Sequence, residues 1–457
     1  MWLPDLDRSG PKYLSISSAL ARDIEEGRLA AGHRLPSQRE LADALGVDLG
    51  TVTRAYREAR RLGLIDADGR RGSFVRSQPG ATIPADIAPF DTGMNLPPIP
   101  VNSSLARRYR ASLDRVLQSP LAANRLQYQP SGGAPVDRAA GAAWLSRRGI
   151  EASEDTVLAV SGAQTGLHAI ASAMLGEGDV VCTGPFVYPG WLAVARRMKL
   201  EIVALPSDGE GLDPAALERA CASRPVQAVY VVPTNDNPTT ATMGEARRRE
   251  IAAVARRHDL RIIEDDAYGY LPSSPLPPLA ALAPERTWHV ASLSKIISPA
   301  LRVAYLRAPS LREAWRVMAD VHETTVMAPP LNVAVATAWL GDGSWAELVG
   351  EVRAECVARQ AMVRDILGDG TYRADPEGYH LWVEPGPGRL SSELTVALAA
   401  AGLSVVSSDA FAVDPEERRR AMRISIGGAL GRDRLERALQ LVATLLDPAR
   451  DRPIPLV

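Results

Sequence analysis

Lys295 lies in the stretch Trp-His-Val-Ala-Ser-Leu-Ser-Lys-Ile-Ile-Ser-Pro-Ala-Leu-Arg, which runs from Trp288 to Arg302. Small residues before the lysine and a proline after it predict a turn leaving a strand at His289 to Ala291. Burial on such a turn lowers the lysine pKa and frees the amine to form a Schiff base. The hydroxyls of Ser292 and Ser294 and the guanidinium of Arg302 could together hold a phosphate. Taken alone, the stretch reads more simply as a solvated loop, because most lysines are exposed. The rest of the chain decides between the two.

In open α/β sheets, ligands bind beyond the carboxyl ends of the strands. The apolar run Val157 to Val160 is followed by Ser161-Gly-Ala163-Gln164-Thr and a helical pattern, a turn that aims backbone N–H groups at an anion. After Val226 to Val232 comes Pro233-Thr-Asn-Asp-Asn237-Pro-Thr, which puts an amide at a strand end. Arg261 to Ile263 is followed by Glu264-Asp265-Asp266-Ala-Tyr268, and Lys295 follows the next run. Each piece has a plain structural explanation. Metal ligation competes for Asp265 and Asp266, but no histidine or third carboxylate stands at a sensible spacing. In this order, the pieces suit pyridoxal 5'-phosphate. That cofactor needs a lysine, an anion for its pyridinium nitrogen, groups on its ring hydroxyl and a phosphate cradle.

The elements that must carry these groups form an α/β pattern. Strand runs at Val157 to Val160, Val180 to Cys182, Ile202 to Leu205, Val226 to Val232, Arg261 to Ile263 and Trp288 to Ala291 alternate with helical segments. Those segments include Thr165 to Leu175, Trp191 to Met198, Pro214 to Ala222 and Glu245 to His258, and the alternation predicts a mostly parallel sheet. A long helix around Val352 to Ile366 and strand-like runs at His380 to Val383 and Arg423 to Ile426 predict a smaller C-terminal α+β lobe.

The first 76 residues differ. A helical spacing of Ile16, Ala19, Leu20 and Ile24 ends at Gly27. Ser37 and Glu40 have capping-box spacing before Leu41, Ala44 and Leu45. Gly46 breaks that helix, and Asp48 can cap the next, whose buried face is Val52, Ala55, Tyr56 and Ala59. This is a mainly α helix-turn-helix pattern. Leu64-Ile65 and Ser73-Phe-Val75 flank a basic hairpin tip that contains Arg70, Arg71 and Gly72. From Arg54 to Arg76, seven arginines face Glu58, Asp66 and Asp68, a local net charge of +4, against −2 for all 457 residues. A basic winged helix suits double-stranded DNA; the plainer alternative is a protein-contact hairpin with solvated arginines. Residues 77–90, with their prolines and no periodicity, read as a linker to a domain at 91–457. The three cysteines, Cys182, Cys221 and Cys356, are widely spaced and read as small buried residues of a reduced protein. No signal core or long uncharged apolar run occurs, which predicts a soluble cytoplasmic chain with no membrane partner.

Gly27-Arg-Leu, Gly32-His-Arg-Leu-Pro-Ser37-Gln-Arg39-Glu-Leu-Ala and Thr51-Val-Thr53-Arg54-Ala-Tyr resemble the GntR family of bacterial winged-helix regulators over residues 12 to 76. The resemblance implies Ser37, Arg39, Thr51, Thr53, Arg54, Arg70, Arg71 and Gly72 as DNA-facing positions. The chain departs from the family at Asp48-Leu49-Gly50, where members commonly carry Ser-Arg, so a frequent DNA contact is missing. Residues 90 to 445 resemble the fold type I, class I aminotransferases through Ser161-Gly-Ala-Gln, Asn237-Pro-Thr, Asp265-Asp-Ala-Tyr and Ser292-Leu-Ser-Lys with Arg302. That resemblance implies that Lys295 forms the Schiff base and Asp265 holds the pyridine nitrogen protonated. Asn237 and Tyr268 would meet the ring oxygen, Tyr188 would stack on the ring, and Ala163, Gln164, Ser292, Ser294 and Arg302 would hold the phosphate. Tyr128 would reach the phosphate from the other subunit, and Arg423 would pair with an effector carboxylate, although a structural arginine at a strand start is the plainer reading of Arg423. The fusion looks like the MocR/GabR family, which implies a head-to-tail homodimer.

The expected function is therefore a pyridoxal-phosphate-dependent transcription regulator that senses an amine or amino acid by external aldimine formation at Lys295. Two alternatives remain open on sequence: a working aminotransferase with an accessory DNA-binding head, and a binding module in which the cofactor is structural.

Overall fold

A computed structural model describes residues 2–4, 12–25, 28–29, 32–61, 64–68, 72–75, 93–368, 370–385, 392–417 and 420–446. Arg70, Arg71, Gly27 and the linker 77–90 lie outside these. The chain divides into two units, Met1–Phe90 and Asp91–Val457.

In the first unit Ser37 caps the helix Gln38–Leu45 as a capping box. Its Oγ accepts from the Glu40 N–H at 3.3 Å, and its own N–H donates to Glu40 Oε2 at 2.8 Å. Gly46, at φ 59°, ends this helix in the left-handed region. Ala42 rather than Ala44 turns inward beside Leu41, because positions 41, 42 and 45 fall on one stripe of the helix and position 44 lies outside it. Asp48 Oδ1 accepts from the Thr51 N–H at 2.8 Å at the start of the helix Leu49–Arg61. Val52, Ala55, Tyr56 and Ala59 are buried against Ile16, Ala19 and Leu20 of the helix Lys12–Glu25. Strands Ile65–Asp68 and Gly72–Val75 pair antiparallel, and Arg34 bridges to Phe74. Asp66 and Asp68 therefore belong to the first strand, not to the hairpin tip where their turn-forming types suggested they would fall.

The second unit is built on a seven-stranded sheet. Its order is Val157–Val160, Ala304–Arg307, Thr287–Ser292, Arg261–Asp265, Val226–Val231, Val180–Thr183 and Glu201–Ala204. Ala304–Arg307 runs antiparallel to both neighbours, and every other pair is parallel. Thr287–Ser292 is buried along its whole length and Arg261–Asp265 from Ile262 onward, so the central strands show no alternation of buried and exposed positions. Helices such as Ala163–Met174, Pro189–Met198 and Glu245–Arg257 cover the sheet. A second, antiparallel sheet contains Arg373–Ala374, His380–Val383, Met422–Ser425 and Ser404–Ser407. The helices Ser344–Leu367 and Arg432–Leu446 pack together beside it. This is the smaller C-terminal α+β lobe. Among the described residues no helix is long and apolar enough to cross a membrane, and no group of three or more His, Cys, Asp or Glu could hold a metal ion.

Candidate functional site

The parallel strands deliver their ends to one edge of the sheet, and the residues there converge. Thr287–Ser292 leads straight into Lys295, with the Ser292 Oγ accepting from the Ser294 N–H at 3.2 Å to hold the turn. Lys295 Nζ donates to the carbonyl oxygen of Asn95 at 2.5 Å. Burial, helped by the nearby positive charge of Arg423, lowers its pKa to about 8. The neutral amine is the nucleophile, and its fraction rises with pH through that value. Reaction of the cofactor-free protein with pyridoxal phosphate should therefore accelerate with pH around a midpoint near 8. Stopped-flow absorbance checks this, and a rate still climbing at an ordinary lysine pKa of about 10.4 would contradict it.

Asp265 and Asp266 are neighbours with opposite fates, because successive side chains of an extended chain point to opposite faces. Asp266 forms a buried ion pair with Arg148. Burial pushes its pKa up, but Arg148 and His289 outweigh this and hold it below the usual carboxylate value. Asp265 Oδ2 accepts from the Tyr230 hydroxyl at 2.9 Å, while Oδ1 is buried without a partner. Burial raises the Asp265 pKa to about 6, against the Tyr230 hydrogen bond, which lowers it. Tyr230 is stacked on Trp191, with centroids 4.6 Å apart and planes 2° from parallel. One carboxylate oxygen is thus fixed by a phenol and the other faces inward, an arrangement that suits a ring N–H donor.

The phosphate side is a cradle. Gly162, at φ 84°, precedes the helix Ala163–Met174, and a Cβ there would lie 2.8 Å from Arg302 Nη2. Only glycine permits both the backbone conformation and the close approach. Arg302 donates to the Ser161 carbonyl oxygen at 2.9 Å. The helix N-terminus at Ala163 and Gln164 adds backbone N–H groups. Ser294 Oγ and Gln164 Oε1 are buried without partners, and the Gln164 amide donates to the Gly190 carbonyl oxygen at 2.9 Å. Tyr188 caps the helix Pro189–Met198, and burial, reinforced by the Asp265 charge, raises its pKa. Unpartnered polar atoms on both sides of the cleft fit a group that carries an anion at one end and a protonated ring nitrogen at the other.

Three residues that the sequence reading did not assign to the site, Asn95, Tyr230 and His380, complete it. Asn95 Nδ2 donates to the Tyr268 hydroxyl at 3.0 Å and to His380 Nδ1 at 3.1 Å. His380 Nε2 meets the Asp236 carbonyl oxygen at 3.0 Å, so Nε2 carries the proton and Nδ1 accepts. Burial depresses the His380 pKa to about 3, which keeps the ring neutral. Arg423 donates to Asn237 Oδ1 at 3.1 Å and to the Gly93 carbonyl oxygen at 2.5 Å. No local motif marked Asn95, Tyr230 or His380, and their partners are distant in sequence. Tyr128 stands apart, 82% exposed after the short helix Ala122–Arg125, near the exposed Leu121 and Leu126.

In the first unit Arg39 and Arg54 are exposed, and the Arg54 guanidinium lies over the Tyr13 ring at 4.4 Å. The hydroxyls of Thr51 and Thr53 are engaged with Asp48 at 2.5 Å and Gln38 at 2.8 Å. Ser37 is occupied as the cap. Gly72, at φ 108°, opens the second hairpin strand.

A family model described as aminotransferase class I and II matches residues 110–442. One described as bacterial regulatory proteins, gntR family, matches residues 12–75. The uncharacterized HTH-type transcriptional regulator YdeF of Bacillus subtilis is 28% identical over 453 residues, covering 98% of this chain and 97% of its own. TauR of Rhodobacter capsulatus, also an HTH-type transcriptional regulator, is 31% identical over 474 residues, covering 93% and 96%. The kynurenine aminotransferase of Pyrococcus horikoshii shares the fold at a TM-score of 0.70 and 22% identity, over 79% of this chain and 92% of that one.

Proposed function

Because the chain belongs to the class I and II aminotransferase family and carries a gntR-family regulatory head, we propose that it is a cytoplasmic transcription regulator that uses pyridoxal phosphate to sense an amine or amino acid. Bound at the cleft, the cofactor would supply an electrophilic carbon to which the Lys295 amine, or another amine in its place, could link. Asp265 Oδ1 would take the ring N–H, held in place by Tyr230. Asn237 and Tyr268 would meet the ring oxygen, and Tyr188 would cover the ring. Ala163, Gln164, Ser292, Ser294 and Arg302 would hold the phosphate. Arg423 would receive the effector's carboxylate. The carrying observation is that a capped helix-turn-helix with its own apolar core and a cleft with a lysine depressed to about 8 belong to one chain. The names of TauR and YdeF support regulation as the use of that pairing.

Arg39, Thr51, Thr53 and Arg54 would face the operator. Ser37 would act by setting the angle of the helix Gln38–Leu45, because its side chain is committed to the cap. Gly72 would shape the wing that carries Arg70 and Arg71. A homodimer would bring the partner copy's Tyr128 to the phosphate, and the exposure of Tyr128, Leu121 and Leu126 supports a surface of that kind. The two copies would be arranged head to tail.

The test records cofactor absorbance and operator retention together while the protein is titrated with single amino acids and amines. A spectral shift at stoichiometric ligand with altered retention is expected. Continuous consumption of an added keto acid, with retention unchanged, would establish a transaminase instead.

A further inference from the structure

The N-terminal end of the helix Leu49–Arg61 is poor in hydrogen-bond donors. The helix buries its other apolar residues, Val52, Ala55, Tyr56 and Ala59, but Leu49 at the first helical position is 42% exposed. Gly50 beside it has no side chain, and a Cβ there would lie 2.9 Å from Asp48 Oδ1. The two threonines at this end have committed their protons. Thr51 Oγ1 donates to Asp48 Oδ2 at 2.5 Å, and Thr53 Oγ1 donates to Gln38 Oε1 at 2.8 Å. A hydroxyl has one proton, so neither can donate to a base without breaking a bond already made. The hydrogen bonds from Thr51 hold the Asp48 carboxyl below its usual pKa, which leaves it an acceptor only. The first guanidinium of the helix, Arg54, stands five residues on, about 7.5 Å at the helical rise. It lies over the Tyr13 ring at 4.4 Å.

We infer that Leu49 is a specificity-determining residue that reads a thymine methyl in the major groove of the operator. The inference rests on the DNA-binding function proposed above and deepens it. In a helix-turn-helix the N-terminal residues of the second helix meet the base edges, and side chains of a helix tilt toward that same end. The major-groove edge of the base pairs offers hydrogen-bond donors, acceptors and one apolar group, the C5 methyl of thymine. An exposed leucine, beside a glycine and two threonines whose protons are spent, matches that group and not the acceptors of guanine. Burial against the methyl removes from water an apolar side chain that the free protein leaves exposed. The contact is uncharged, so it supplies discrimination, while the exposed Arg39, Arg54 and Arg57 supply attraction to phosphate that weakens with salt.

The test selects duplexes from a pool with a randomised core, using the full-length, cofactor-loaded protein. The enriched duplex is then remade with deoxyuridine in place of each thymine in turn, which deletes one methyl and keeps the base pair. Wild type should lose about fourfold in affinity at a contacted thymine, the worth of one buried methyl-sized group. Leu49→Ala should bind the thymine and uracil duplexes equally at that position. Its affinity should fall with salt as steeply as that of wild type, because no phosphate contact is removed. Leu49→Arg should select guanine there instead, since an arginine can meet the guanine O6 and N7. The inference is overturned if no thymine methyl matters to wild type, or if the sensitivity persists in both variants. It is also overturned if Leu49→Ala flattens the salt dependence, which would mean a displaced helix rather than a lost base contact. A pool in which no sequence is enriched would defeat the DNA-binding function itself, and the inference with it. An enriched duplex whose methyls are silent defeats the inference alone.

Discussion

Lys295→Ala is expected to abolish the absorbance band of the lysine-linked cofactor completely, together with every spectral response to added amines. The loss should be total because no substitute is at hand. The chain has only three lysines, Lys12, Lys199 and Lys295. Lys199 is paired with Glu177 on the surface, and Lys12 begins the first helix of the other unit. The other cations of the cleft, Arg302 and Arg423, keep their protons at any usable pH and cannot act as amines. Weak cofactor binding should survive through the cradle of Ser294, Arg302 and the helix N-terminus at Ala163, since those contacts do not pass through the lysine. Absorbance recorded before and after gel filtration separates the two contributions. The variant should show free-cofactor absorbance that is lost on filtration, and a retained, unshifted band would place the Schiff base elsewhere. The depressed pKa of Lys295 is the second reason for a large effect: an ordinary surface lysine would be charged at neutral pH and slow to react, whereas this one is partly neutral there.

The sequence disclosed what is local. Apolar runs and their following turns located the strand ends, so Ser161, Asn237, Asp265 and Lys295 could be read as one constellation before their geometry was known. The capping box at Ser37 and Glu40 was legible because both partners lie within one helical turn. What escaped was long-range. Asn95 meets Tyr268 across 173 positions and His380 across 285, and neither pairing leaves a spacing to recognise. Tyr230 was hidden in a mostly apolar strand whose tyrosine looked like core. Ala304–Arg307 was missed because four residues after a lysine loop resemble its tail, and only its pairing with Thr287–Ser292 and Val157–Val160 makes it a strand. The assignment of Asp265 rather than Asp266 rested on resemblance. The physical reason became visible only with Arg148, which lies 118 positions from Asp266 and occupies it.

That occupied carboxylate supports the second large prediction. Arg148→Met is expected to destabilise the second unit by about 3–5 kcal/mol, the cost of breaking a buried ion pair and leaving one charge uncompensated. Both side chains are almost fully buried, at 3% and 0% exposure. Arg148 also donates to the Leu276 carbonyl oxygen at 2.8 Å and lies over the Tyr270 ring, so methionine removes a link between three segments while keeping much of the volume. The pH dependence identifies the cause. In wild type the Asp266 pKa is held below its ordinary value, so its contribution is present above that value and is lost as pH falls through the folded pKa. Without Arg148, burial is opposed only by His289 and Arg248, and the Asp266 pKa rises. The folded variant then prefers the protonated acid, and the penalty is greatest at neutral pH. Chemical denaturation at neutral pH and near pH 5 should therefore show the gap between wild type and variant narrowing on acidification. A gap that stayed constant with pH would mean that lost packing, not the stranded carboxylate, accounts for the destabilisation. Arg148→Met combined with Asp266→Leu should recover much of the loss, because a buried pair replaced by apolar groups of similar size is often neutral or stabilising.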